Sequence, residues 1–219
     1  MEELRKLFEE GNYDQLIKEF KEYEKKGSED AEAYILAAKA YYYKKKPKDS
    51  LKYLEKGLKL GGDKKEIDYL MGKDYALMGK YDKALEKLNE ALSLKPDDAS
   101  VLLNIGVVYA LKGDRQNARD YFEKATQADP NEKKAWYDLG VTYFMDKNYE
   151  KAAECFRKSY ELDGDFYEAL YNLVSSLCMK GDQDFDKYYQ ILYEKDKKRA
   201  ELLKKVCERE KRGRRFRLW

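Results

Sequence analysis

The fold is decided by the stretch Lys133–Phe166, which reads KKAWYDLGVTYFMDKNYEKAAECFRKSYELDGDF. Its small and aromatic residues follow the spacing W-x2-L-G-x2-Y and then A-x3-F. These positions are occupied by Trp136, Leu139, Gly140, Tyr143, Ala152 and Phe156. Apolar residues three and four positions apart share one face of a helix, so the stretch predicts two amphipathic helices joined by a turn.

The same pattern returns at intervals of 34 residues earlier in the chain. One column is aromatic and consists of Tyr41, Tyr75, Tyr109 and Tyr143. Two columns hold mostly small residues, and they are Ala38, Gly72, Gly106 and Gly140, and Ser50, Ala84, Ala118 and Ala152. A fourth column is bulky and consists of Leu54, Leu88, Phe122 and Phe156. Columns that keep phase over successive units indicate a repeat architecture in which each unit packs on its neighbours.

The repeat resembles that of the tetratricopeptide-repeat (TPR) family, whose unit is a pair of antiparallel helices, A and B. The resemblance covers the chain from its start to about residue 195. It implies an all-α fold, a right-handed α-solenoid of about six helix pairs with atypical first and last units and a C-terminal capping helix. Gly140 and Ala152 are then small because helices A and B approach closely. The predicted boundaries are 1–30, 31–64, 65–98, 99–132, 133–166 and 167–196 for the units, 197–211 for the capping helix and 212–219 for a basic tail.

The two ends of the array depart from the pattern. In the second unit Ser50 and Gly57 replace alanines, so an incompletely covered apolar face leaves a homo-oligomer as an open alternative. In the last unit the phase is lost after Gly181, and bulky Tyr188 falls where alanine is expected. No glycine or proline separates the last two predicted helices, and we expect a break near residues 195–198.

Composition excludes several classes of protein. Charged residues make up 40% of the chain and apolar residues 43%, and the apolar residues sit at helical spacing, which is typical of a folded helical protein. Histidine is absent, which removes histidine-based acid–base catalysis, Ser-His-Asp systems and histidine-ligated metals. No phosphate-binding loop or metal-ligand spacing is present either. The sequence therefore predicts a protein that is not an enzyme and uses no cofactor or metal.

The cysteines and the N-terminus bear on the cellular compartment. Cys155, Cys178 and Cys207 are far apart and form no CxxC motif, so we expect three reduced thiols. The chain begins Met-Glu-Glu-Leu-Arg-Lys, which is not the pattern of a signal peptide, and it has no apolar run of membrane-spanning length. These features together predict a cytoplasmic protein.

The resemblance also implies where a partner binds, because helices A line the inner surface in this family. The predicted groove residues are Tyr69, Lys73, Leu103, Asn104, Tyr137, Asp138, Tyr171 and Asn172. Tyrosine suits recognition since it offers contact area at low entropic cost together with a polar tip. The alternative is that the larger side chains merely shield the A helices. The sequence thus predicts an interaction scaffold that holds an extended or helical segment of a partner protein.

Two binding patterns of the family can be compared with these positions. A clamp for chaperone C-terminal tails would need an arginine where Asp138 stands, and Tyr69 and Lys73 replace two further clamp residues. An acid would repel a terminal carboxylate, so a chaperone tail is an unlikely partner. A second pattern, an asparagine ladder that holds a peptide backbone, is matched in part by Asn104 and Asn172.

The basic end of the chain offers an alternative function. Residues 195–219 contain 12 basic and 4 acidic side chains, which leaves 33 basic and 39 acidic ones in residues 1–194. The candidate residues of this tail are Lys211, Arg212, Arg214, Arg215, Arg217 and Trp219. Such a segment could bind RNA or an anionic membrane surface, dock on the acidic part of another copy, or be a solubilising end. Phosphate contacts would weaken steeply with added salt, whereas apolar groove contacts would not.

Overall fold

A computed structural model of the chain describes residues 1–27 and 29–216, with side chains as far as Arg209. Over these residues it contains thirteen α-helices and no strand, which confirms the predicted all-α class. The helices are α1 Glu2–Glu9, α2 Tyr13–Lys25, α3 Ala31–Tyr43, α4 Pro47–Lys59, α5 Lys64–Leu77, α6 Tyr81–Leu94, α7 Ala99–Leu111, α8 Arg115–Ala128, α9 Lys133–Met145, α10 Tyr149–Leu162, α11 Tyr167–Lys180, α12 Phe185–Lys195 and α13 Lys197–Phe216. None of the helices in this part of the chain is both long and apolar enough to cross a bilayer.

The chain forms two compact units. Unit 1 is Met1–Asp114 and contains α1 to α7, and unit 2 is Arg115–Trp219. We call α1, α3, α5, α7, α9 and α11 the A helices and the even-numbered helices to α12 the B helices. Within unit 1, α3 packs against α4 and α5 against α6, and successive A helices touch as well. Within unit 2, α9 packs against α10, α10 against α11, and α13 against both α11 and α12.

Helices A and B approach closely where the sequence places glycine. A Cβ atom added at Gly140 would lie 2.8 Å from two ring carbons of Phe156. At Gly72 it would lie 2.6 Å from Cγ of Leu88. Both distances are shorter than real Cβ contacts, so the bulky residue of helix B occupies the space that a side chain on helix A would need. The predicted role of these glycines is confirmed.

The turn after each A helix uses one left-handed residue at the same place in the repeat. The backbone angle φ lies between +57° and +83° at Gly11, Lys45, Gly79, Gly113, Lys147 and Gly181. Glycine adopts this conformation readily, whereas a side chain is strained there by about 1 kcal/mol. Two of the six turns therefore carry lysine where the backbone favours glycine.

We expect Lys45→Gly and Lys147→Gly each to raise the free energy of unfolding by about 0.5–1 kcal/mol, because relief of strain exceeds the added flexibility of the unfolded chain. Urea denaturation followed by circular dichroism measures the change. Lys46→Gly is the control, since φ at Lys46 is −114° and no strain is relieved there. A destabilised Lys147→Gly variant would contradict the strain argument.

The end of the chain differs from the sequence-based expectation in two respects. The predicted break between the last two helices is confirmed and falls at Asp196, but α13 continues to Phe216, beyond the predicted end at Lys211. The prediction of three reduced thiols is wrong. Cys178 on α11 and Cys207 on α13 form a disulfide, with their Cα atoms 5.9 Å apart, and only Cys155 has a free thiol.

The disulfide forms because α13 turns back at Asp196 and packs along α11, which brings together two residues 29 positions apart. Burial raises the pKa of the remaining Cys155 thiol to about 12, so this thiol is inert at neutral pH. Disulfides are common in oxidising compartments and rare in the cytosol. The cysteines therefore no longer support the cytoplasmic prediction, which stays a prediction.

Candidate functional site

In unit 1 the predicted groove residues of α5 and α7 are brought together, and α3 adds one more aromatic residue. The ammonium group of Lys73 on α5 lies 4.5 Å from the ring centroid of Tyr42 on α3 and 5.3 Å from that of Tyr69. Asn104 on α7 donates one amide hydrogen bond to the Tyr69 hydroxyl at 3.1 Å and another to the carbonyl of Ser100 at 2.8 Å. These contacts link α3, α5 and α7 into one surface. Burial raises the pKa of Tyr69 to about 12, with the Asn104 hydrogen bond opposing the shift, so Tyr69 is neutral at pH 7.

An open depression of about 410 Å³ lies beside Tyr69. Its lining combines acidic, basic and apolar side chains, and it consists of Asp63, Lys65, Glu66, Tyr69, Asp98, Ser100 and Val101. Two ion pairs lie at this lining. The Lys65 ammonium group is 2.7 Å from the Asp98 carboxylate, and the Lys39 ammonium group is 2.6 Å from the Glu66 carboxylate. The charges in this depression are therefore largely paired.

Unit 2 repeats the same hydrogen bond on the corresponding helices. Asn172 on α11 donates its amide N–H to the hydroxyl of Tyr137 on α9 at 3.0 Å. Tyr137 and Asn172 stand two repeats after Tyr69 and Asn104. The Tyr137 ring packs 5.0 Å from the ring of Phe166, which fixes its orientation. Each compact unit thus carries one tyrosine–asparagine pair between neighbouring A helices.

A second depression, of about 380 Å³, lies beside the pair in unit 2 and is called here the tyrosine pocket. Its lining is Tyr137, Tyr167, Glu168, Tyr171, Asn172, Arg199 and Leu202. The Tyr167 and Tyr171 rings stack at 6.3 Å, and the Arg199 guanidinium lies 5.4 Å from the Tyr167 ring. Arg199 and Leu202 belong to α13, so the helix that the sequence marks as a cap also forms a wall of this pocket.

Two predicted groove residues have special surroundings. Leu103 is only 7% exposed and offers little surface to a partner. Asp138 is half-buried, and burial raises the pKa of its carboxyl group to about 6, while Lys134 lowers it and Glu132 raises it further. Asp138 thus places an acid where the chaperone-tail clamp needs an arginine, and its carboxyl group interacts with Lys134. This arrangement agrees with the prediction that a chaperone tail does not bind here.

Part of this surface was not predicted from the sequence. Tyr42 contacts Lys73 but was not among the predicted residues. Large apolar side chains also stand exposed at the ends of the A helices, between 40% and 56%, at Tyr43, Leu77, Leu111 and Met145. They recur at the 34-residue interval of the repeat. That interval was the available signal, because an exposed apolar column in phase with the repeat is unusual for a solvated face.

The predicted basic site lies beyond the last described side chain, Arg209. Lys211, Arg212, Arg214 and Arg215 lie on the backbone of α13, but their side chains are outside the described ones. Arg217 and Trp219 lie outside the described residues altogether. Binding of RNA or an anionic membrane through this segment stays a prediction.

Comparison with known families agrees with the geometry. A family model described as a TPR repeat matches residues 72–113, and a second, described as a tetratricopeptide repeat, matches residues 97–165. Residues 72–165 of this chain therefore consist of tetratricopeptide repeats. Proteins with these repeats generally mediate protein–protein interactions and are generally not enzymes. No curated protein matches the sequence.

Solved structures show the same fold. PilF from Pseudomonas aeruginosa has a TM-score of 0.76 at 17% sequence identity. The matched region covers 94% of this chain and 95% of the PilF chain. The C-terminal part of a TPR repeat-containing protein from Cytophaga hutchinsonii has a TM-score of 0.69 at 24% sequence identity. That match covers 88% of this chain and 78% of the other chain. YrrB, described as a TPR protein with an unusual peptide-binding site, has a TM-score of 0.56 at 26% sequence identity. The YrrB match covers 77% of this chain and 87% of the YrrB chain.

Proposed function

We propose that this protein is a non-enzymatic scaffold whose A helices bind an extended or helical segment of a partner protein. The observation that carries the proposal is the repeated tyrosine–asparagine pair beside an open depression, found once in each unit. A side chain that only shielded its helix would not need a hydrogen-bonded partner on the next helix at the same place in both units. The likeness to YrrB, whose description names a peptide-binding site, supports the same proposal.

The chemistry of the pair suits a peptide backbone. In both pairs the tyrosine oxygen accepts a hydrogen bond from asparagine, so the hydroxyl proton can be donated to a carbonyl of the bound segment. The hydrogen bond also fixes the tyrosine rotamer before binding, which lowers the entropic cost of recognition. The apolar face of each ring then contacts side chains of the partner.

Loss of the two tyrosines is expected to weaken binding. Peptides are selected from a random displayed library on the intact chain, and their affinities are measured by fluorescence polarisation. We expect Tyr69→Ala/Tyr137→Ala to weaken binding by about tenfold or more, since truncation of a buried aromatic anchor typically costs over 1 kcal/mol. The matched control is Tyr81→Ala/Tyr160→Ala, which removes two half-buried tyrosines from the B helices α6 and α10.

Three results would count against the groove. Equal weakening in the control variant would indicate a general loss of stability, which thermal unfolding of both variants detects. Unchanged affinity in Tyr69→Ala/Tyr137→Ala would show that the pairs do not bind. Loss of binding on truncation after Glu210, with a steep dependence on salt, would instead favour the basic tail.

A further inference from the structure

Up to Arg209, where the described side chains end, the last helix contacts unit 2 through a narrow apolar face and one covalent bond. The buried side chains of this part of α13 are Ala200, Leu203 and Cys207, while the neighbouring Leu202 is 60% exposed. Cys207 is bonded to Cys178, the last buried residue before α11 ends at Lys180. Because few side chains are buried in the described part of this terminal helix, its attachment there depends strongly on the cross-link, since terminal elements with few buried contacts open most readily.

The same helix completes the tyrosine pocket. Arg199 and Leu202, one helical turn apart on α13, form one wall of this depression, and α9 and α11 supply the remaining residues. Arg199 is placed over Tyr167 with its guanidinium 5.4 Å from the ring, and its Nε lies 3.6 Å from Asp196, the residue at the break before α13. If α13 leaves, the pocket loses this wall and Tyr167 becomes exposed.

A further depression lies beside the disulfide, at Cys207 on α13. This depression of about 290 Å³ is lined by Asp182, Gln183, Phe185, Asp186, Lys204, Cys207 and Glu208. Cys207 is among its lining residues and Cys178 is not, so Cys207 is the half of the disulfide on the side of this depression. The lining holds three carboxylates and one lysine, and Asp182 is also paired with Lys180 at 3.1 Å. The remaining excess of negative charge disfavours a reductant that carries carboxylate groups and favours one whose only charge is the attacking thiolate.

We propose that the Cys178–Cys207 disulfide is a redox latch that holds α13 as a wall of the tyrosine pocket, so that the pocket is complete only in the oxidised protein. The proposal rests on the proposed function in treating this pocket as part of the binding surface. A neutral dithiol opens the latch in two steps. Its thiolate attacks Sγ of Cys207 and releases the Cys178 thiolate, and its second thiol then closes the reductant's own disulfide and releases Cys207. Two electrons pass from the dithiol to the protein, and both cysteines end as thiols.

Hydrogen exchange on the intact chain tests the latch without any ligand. The oxidised protein and protein reduced with dithiothreitol are compared by mass spectrometry, with complete reduction verified by alkylation of the thiols. We expect amide exchange in residues 197–209 to accelerate on the order of a hundredfold on reduction, while exchange in α9 stays the same. Cys155→Ser should respond as the native chain does. Cys178→Ser/Cys207→Ser should exchange fast in both conditions.

Unchanged exchange of α13 in fully reduced protein would overturn the latch, and so would an equal acceleration throughout unit 2. A peptide selected on the oxidised protein gives a separate outcome. If its affinity survives reduction although α13 has opened, the pocket wall is not part of the site and the regulatory proposal fails, while the binding function stands. If no peptide is selected, the proposed function fails, and hydrogen exchange still decides whether the latch exists.

Discussion

Asp74→Asn is expected to raise the free energy of unfolding by about 3–4 kcal/mol at pH 8, the largest stability change that we predict. Asp74 lies on α5 and is fully buried. Neither of its carboxyl oxygens makes a hydrogen bond of normal geometry to any residue whose side chain is described. Burial raises its pKa from 3.8 to about 7, and the nearby Ser50 hydroxyl and Lys73 ammonium oppose the shift only in part.

The sign of the pH dependence follows from this direction. Because the pKa of Asp74 is higher in the folded chain than in the unfolded chain, the folded state binds more protons between pH 4 and pH 7. Stability is therefore lost as the pH rises through this range, and the loss levels off above the folded pKa. Asparagine mimics the protonated acid, so the benefit of Asp74→Asn should be small near pH 4 and full at pH 8. Denaturation with urea at both values measures the difference.

Asp68 provides the matched control on the same helix. It is also fully buried, but its carboxylate is paired with Lys64 and lies 3.5 Å from Lys87. Asp68→Asn removes one carboxylate partner of two ammonium groups, which keep Glu90 as their other partner, and should destabilise the protein at pH 8. If both substitutions changed stability in the same direction, the unpaired burial of Asp74 would not be the cause. Burial, and after it the charge of Asp74, raises the pKa of Tyr42, so this hydroxyl stays neutral over the same pH range.

Gly140→Ala is expected to cost about 2 kcal/mol, which is the second large effect. Alanine normally stabilises a helix interior relative to glycine by about 1 kcal/mol. Here the added Cβ would lie 2.8 Å from two ring carbons of fully buried Phe156, so the ring must leave its position or the helices must separate. The expected change therefore has the opposite sign to the one that helix propensity alone predicts.

The chain itself suggests a variant that rescues this loss. In the second unit the equivalent positions hold Ala38 and Leu54, both fully buried, so alanine and leucine fit opposite each other. We expect the free energy of unfolding of Gly140→Ala/Phe156→Leu to be about 1–2 kcal/mol higher than the added effects of the two single substitutions predict. Thermal unfolding of the four proteins in this double-mutant cycle gives the coupling energy. Additive effects would show that the contact with Phe156 does not limit the position.

The sequence predicted those parts of the fold that repeat. The spacing of Gly72 and Gly140 indicated close helix pairs, and the phase of the repeat located Tyr69 and Asn104 on facing A helices. This worked because neighbouring units of a repeat protein pack in the same way each time, so one column of the sequence corresponds to one place in space. Leu103 occupies a groove column as well, yet it is buried, because a column does not specify how far each side chain is covered.

The features that occur once could not be predicted. The disulfide depends on where α13 turns at Asp196 and on its packing along α11, and neither residue spacing nor a motif marks that contact. The left-handed backbone at Lys45 and Lys147 was hidden because lysine gives no signal for a positive φ, although the glycines in the same column do. The burial of Asp74 was missed although its column carried a signal, since the equivalent residues Ala40, Val108, Thr142 and Ser176 are small, apolar or hydroxyl-bearing, as buried positions are.

The column of left-handed turns has a practical consequence for labelling the protein. A Cβ atom added at Gly79, Gly113 or Gly181 would meet nothing within 4 Å, so these turns open directly to solvent. Exposed turn tips of this kind tolerate inserted residues. A short epitope or a dye attached at the Gly181 turn would therefore sit outside the packed helices, at the start of the segment that leads to α12. Fluorescence energy transfer from that point to a second dye on α13 would follow the movement of a single helix in solution.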